Sequence, residues 1–112
     1  MARKRKVLLN CSDQLASLLY KKLTLKEYDV VIKALNDHNI LYHYCVYKPD
    51  VLLIEMFDPN DLQAVSSLSQ ASVIVINVSS LSTEEILDVG AQAVLTRPVS
   101  ATYLANLIED LT

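Results

Sequence analysis

One carboxylate stands out by its setting. Glu55 ends a run of four bulky branched residues, Val51-Leu52-Leu53-Ile54, with Pro49-Asp50 before it and Phe57-Asp58-Pro59 behind it. Four such residues leave no room for a polar side, so the run reads as a strand buried on both faces. A carboxylate carried out at the end of a buried strand sits where an open parallel sheet keeps its ligands. Such a group can hold a hard cation, accept a phosphoryl group or pair with a cation of the protein. A second polar cluster, Cys11-Ser12-Asp13, follows the short apolar run Val7-Leu8-Leu9 and offers a thiol, a hydroxyl and a carboxylate. Ser79 and Arg97 likewise follow apolar runs, at residues 73–76 and 93–95. The two histidines, His38 and His43, have no acidic or serine partner at a telling spacing, and no C-x-x-C pair is present, so no metal centre is expected.

Composition narrows the classes. The chain has 112 residues, of which 52% are hydrophobic and 21% charged, which suits one globular domain with one core. No apolar run nears the roughly 20 residues that span a bilayer. The basic start at residues 2–6 has no apolar signal core behind it, and it is read as a solvated tail over residues 1–5. A net charge of −3 speaks against a nucleic-acid binder, which is usually basic. Two free thiols, Cys11 and Cys45, fit a cytoplasmic protein better than a disulfide framework. The single glycine, Gly90, excludes a P-loop and a dinucleotide fingerprint, both of which need several. No cofactor is expected.

The elements that must position these residues alternate. Lys6 to Leu9 forms a strand, and Ser12 or Asp13 can cap a helix over 14–23 with Leu15, Leu18, Leu19 and Leu23 inward. Tyr28 to Ile32 forms the second strand, and Asn36-Asp37 opens a helix with Ile40, Leu41, Tyr44 and Cys45 apolar and Tyr42 and Tyr47 at the rim. Asp58-Pro59 starts a third helix through Leu62, Val65 and Leu68. The fourth strand is Val73 to Ile76. Ser82-Thr83-Glu84-Glu85 is a capping box for a short helix that Gly90 ends. Ala93 to Leu95 is the fifth strand, and Ser100 caps a last helix with Leu104, Leu107, Ile108 and Leu111 on one face. Five strands alternating with five helices predict an α/β protein, a three-layer flavodoxin-like sandwich whose parallel sheet has the order 2-1-3-4-5.

Three stretches resemble a response-regulator receiver domain. Pro49 to Glu55 is similar to the family's third strand, which ends in the phosphoacceptor aspartate. Gly90-Ala91-Gln92-Ala93-Val94-Leu95-Thr96-Arg97-Pro98-Val99-Ser100 resembles its fifth strand, with the usual ending Thr-Lys-Pro. Lys6 to Leu23 looks like its first strand and helix, where an acidic pair directly after the strand normally holds Mg²⁺. Against that pattern Glu55 replaces the phosphoacceptor, Cys11 and Ser12 replace the acidic pair with Asp13 one place on, and Arg97 replaces the phosphate-contacting Lys. Ser79 keeps the switch hydroxyl, while Val94 stands where a switch aromatic is usual. The segment between Glu55 and the fourth strand and the segment from Ser79 to Gly90 are both shorter than the family's.

The resemblance implies a pseudo-receiver of two-component-type signalling or transcription regulation, which is not an enzyme and works without aspartyl phosphorylation. Its partners would be a second copy or another regulatory protein. DNA would be reached only through an output domain following residue 112, and membranes not at all. Mg²⁺ wants hard oxygen ligands, usually carboxylates plus water. With Cys11 and Ser12 in place of the acidic pair, only Glu55 and Asp13 are left to supply carboxylates. Glu55 and Arg97, with Ser79 nearby, are expected to form a static ion pair. Two alternatives follow from the same residues. One is a receiver that senses a ligand at the degenerate pocket. The other is a carrier phosphorylated on Cys11, because strand, Cys and helix in a chain of this length resemble the IIB subunits of sugar transport systems.

Overall fold

The computed structural model describes residues 4–33, 40–58 and 71–112. The strands are β1 (Lys6–Asn10), β2 (Asp29–Ile32), β3 (Val51–Met56), β4 (Ser72–Asn77) and β5 (Ala93–Leu95). The helices among the described residues are α1 (Asp13–Leu25), α2 (Ile40–Tyr47), α3 (Thr83–Asp88) and α4 (Ala101–Leu111). The helix expected after Asp58-Pro59, the opening of the second helix at Asn36-Asp37, and His38 lie outside the described residues. All strand pairs are parallel, and the sheet order is β2-β1-β3-β4-β5, as the alternation predicts.

The central strands bury both faces, so side chains alternate between two half-cores. Val7, Leu9, Val51, Leu53, Ile74 and Ile76 pack with Ala16, Leu19 and Leu23 of α1 and Leu104, Ala105 and Ile108 of α4. Leu8, Leu52, Ile54, Met56, Val73 and Val75 pack on the other face with Ile86 of α3 and with Tyr44 and Tyr47 of α2. All six residues of β3 are buried. Its register places Leu53 between Leu9 and Ile74, and Glu55 opposite Ile76. Glu55 shares the parity of Leu53, which sets it on the α1–α4 face at the carboxyl end of the sheet.

Several local readings need correction. Leu18 is 47% exposed, and the inward positions of α1 are Ala16, Leu19 and Leu23. Ser12 occupies the cap position of α1 but its side chain makes no cap bond. Cys45 is exposed and Tyr47 turns inward, its hydroxyl donating to the Asp29 carbonyl at 2.7 Å, so the packed side of α2 differs from the one expected. Tyr28 belongs to the turn before β2: its N–H donates to the Leu23 carbonyl at 3.0 Å and closes the end of α1. The two serine caps that lead short helices are made. The Ser82 hydroxyl accepts from the Glu85 N–H at 3.2 Å, and the Ser100 hydroxyl accepts from the Tyr103 N–H at 3.2 Å.

Candidate functional site

Glu55 is 5% exposed, and Asn10 is the other buried polar residue among those described. A buried carboxylate must be paired or hydrogen-bonded, or its burial costs several kcal/mol. Both of its oxygens have partners. Oε1 accepts the Ser12 backbone N–H at 2.9 Å, so the carboxylate fastens the β1–α1 connection. Oε2 accepts the Arg97 Nε–H at 2.7 Å, and Arg97 Nη2 also donates to it. The expected ion pair forms with two guanidinium N–H groups converging on one oxygen, while the Ser12 N–H takes the other.

Arg97 comes from the segment between β5 and α4 and keeps 47% of its side chain exposed, against 3% for Glu55. Its guanidinium carbon lies 4.9 Å from the centre of the Phe57 ring, within range for a cation–π contact. Phe57 was not singled out in the sequence. The available signal is parity, since a residue two places beyond Glu55 on an extended chain projects to the same side. The pair thus joins three segments distant in sequence: the start of α1, the end of β3 and the β5–α4 connection.

The other singled-out residues scatter. Cys11 is fully buried within the α1–α4 half-core. Burial, and then the charges of Glu55 and Asp13, push its thiol from the ordinary 9.0 up to about 12, so it is a neutral thiol at physiological pH. Asp13 is exposed in the first turn of α1. Ser79 does not join the pair. Its hydroxyl donates to Asn77 Oδ1 at 2.6 Å and its N–H to the same atom at 3.0 Å, while Asn77 Nδ2 donates to the Leu81 carbonyl at 2.8 Å. This local knot shapes the β4–α3 turn. Val94 is half-buried on β5, opposite Val75, and packs into the α2–α3 half-core.

Beside the pair lies a cavity of about 360 Å³, bounded by the start of α1 and the β5–α4 connection. Among the described residues, no group of three or more His, Cys, Asp and Glu comes together as a metal site. No helix of the described residues is long and apolar enough to cross a membrane.

No family model and no curated protein matches this sequence. Solved structures do. An orphan response regulator of H. pylori superposes with a TM-score of 0.82 at 22% identity, covering 96% of this chain and 95% of its own. A response regulator from Thermotoga maritima gives 0.79 at 13% identity, with coverage of 97% and 98%. The response regulator protein from Burkholderia multivorans gives 0.77 at 20% identity, with coverage of 97% and 95%. The chain therefore has the flavodoxin-like receiver fold of response regulators.

That fold implies Mg²⁺ at the carboxyl end of β1 and β3, and the residues present do not fit it. Magnesium requires hard oxygen donors in near-octahedral array. Glu55 has both oxygens engaged, one of them by a guanidinium that a dication would have to displace. Cys11 turns a buried neutral thiol inward, and Asp13 alone supplies a carboxylate.

Proposed function

We propose that this chain is a pseudo-receiver: a regulatory module of two-component-type signalling that acts by protein–protein association and not by aspartyl-type phosphorylation. The observation that carries the reading is Arg97 on Glu55. The acceptor position holds an internal cation in the place where a phosphoryl group and its metal would have to assemble. Phosphoryl transfer to a carboxylate depends on a positioned metal that neutralises the developing charge. Here the neutralising charge is built in, permanent and monovalent. In this reading the pair holds the domain in one state, and signalling passes through association with a second copy or another regulatory protein. The module is cytoplasmic and is not an enzyme. DNA would be reached only through a separate output domain.

The alternative of a carrier phosphorylated on Cys11 asks for a thiolate. A thiol pushed to about 12 by burial is a poor nucleophile at neutral pH. Intact mass after incubation with acetyl phosphate and Mg²⁺ tests both readings. The expected result is no phosphoryl adduct. An adduct lost in Cys11→Ser would favour the carrier, and one lost in Glu55→Gln but kept in Cys11→Ser would overturn the proposal. The locked-state part has its own test: Glu55→Gln should alter stability and self-association, and an unchanged variant would reduce the pair to a structural remnant.

A further inference from the structure

The cavity beside Glu55 and Arg97 is not accounted for by association. Its volume of about 360 Å³ falls in the range of small-molecule sites, and it lies at the carboxyl end of the sheet, where open α/β sheets bind ligands. Leu15 and Leu18 of α1, with Val99 and Ala101 across from them, give it an apolar wall. The polar groups that line it are few: Ser12, Gln14 and the ion pair itself.

We propose that this cavity binds a small uncharged molecule, with an apolar body and a carbonyl or similar hydrogen-bond acceptor. The charge of the site selects the class. Glu55 and Arg97 neutralise each other, so the site has no net charge to offer a ligand ion, and desolvating an ion there would go uncompensated. A cation would also compete with Arg97 for a carboxylate already saturated. An acceptor is still served. Arginine carries five N–H donors, and the two nitrogens that face Glu55 are Nε and Nη2, which leaves the Nη1 edge. The Ser12 side chain, which makes no cap bond to α1, adds a hydroxyl at the same opening. The hydrocarbon part of the molecule covers Leu15, Leu18 and Val99. Leu18, 47% exposed beside Leu15 on α1, is thereby given a partner.

This inference rests on the phosphorylation-independent reading, because it needs Arg97 to remain on Glu55. Amide shifts in a two-dimensional NMR titration provide the test. The probes are benzamide (uncharged, with a carbonyl) and benzoate, which has the same ring with an anionic head. Benzamide should give saturable shifts at Ser12, Leu15, Val99 and Ala101, and benzoate should bind at least about tenfold more weakly. Ala101→Phe, which fills the cavity, should abolish the response. Leu18→Gln, at a half-exposed position that folding tolerates, should weaken it severalfold. Absence of shifts at these amides overturns the proposal, as does equal binding of benzoate or a response surviving both variants. The same sample tested with acetyl phosphate separates the two failures. A phosphoryl adduct defeats the functional reading, whereas silence toward benzamide without an adduct defeats this one alone.

Discussion

At the scale of single residues, Cys11 converts burial into a pH dependence with a definite sign. Its folded-state pKa is raised from 9.0 to about 12, so below pH 9 both folded and unfolded chains hold the proton and nothing is lost. Between those values the unfolded thiol ionises and the folded one does not, so stability should fall as pH rises, by up to about 1.4 kcal/mol per pH unit from this group. Urea denaturation of the protein and of Cys11→Ala between pH 8 and pH 11 (roughly the accessible part of that window) should show a shallower alkaline decline in the variant. Equal slopes would mean that the thiol is not shielded. Cys11 also shows what a sequence can and cannot give. That a thiol follows the first apolar run is plain from Val7-Leu8-Leu9-Asn10-Cys11, but its depth depends on α1 and α4 closing over it from residues far along the chain. For Glu55 the buried setting was legible in the four branched residues before it. Its partner was legible only through resemblance, since Arg97 is 42 residues away, and the Ser12 N–H was not legible at all.

At the scale of elements, the signals in the sequence that hold are those that need only neighbouring residues. The Ser82 and Ser100 caps each need only a hydroxyl and an N–H three residues on, and both form. Ser12 has the same type of side chain and makes no cap bond, and its backbone N–H donates instead to a carboxylate 43 residues away. Ser82→Ala should cost about 1 kcal/mol. The opposite change is available at the end of α1, where Glu27 adopts φ +67° and the Lys26 and Tyr28 N–H groups both donate to the Leu23 carbonyl. A left-handed residue closing a helix is the position glycine prefers, so Glu27→Gly should stabilise by about 0.5–1 kcal/mol. Thermal unfolding of the two variants beside the parent measures both. A destabilised Glu27→Gly would show that the Glu27 side chain makes a contribution exceeding its backbone strain. Helical spacing marks Leu18 as inward because it defines a stripe without fixing its width, and the side chain is 47% exposed. Ala16, too small to attract notice in the sequence, takes the inward place.

At the scale of the molecule, a short edge strand flanked by two helices sets out the ground for association. β5, α3 and α4 border a groove of about 460 Å³ that includes Val94, Val99 and Tyr103, and Tyr103 and Leu87 are 55% and 42% exposed. A twofold contact would place the same patch on both partners. If self-association uses this face, Tyr103→Glu should weaken it by about tenfold or more, roughly 1.4 kcal/mol, in sedimentation velocity. A parent protein that stays monomeric at every concentration would direct the search to a different regulatory partner. The three-segment junction at Glu55 has a consequence of another kind. The Ser12 amide proton is held by a buried oxygen whose countercharge lies on a distant loop, so its exchange with deuterium must await an opening that involves all three segments. One amide thereby becomes a clock for the whole carboxyl edge of the sheet. Arg97→Ala should quicken that clock by a larger factor than it quickens the amides inside β3.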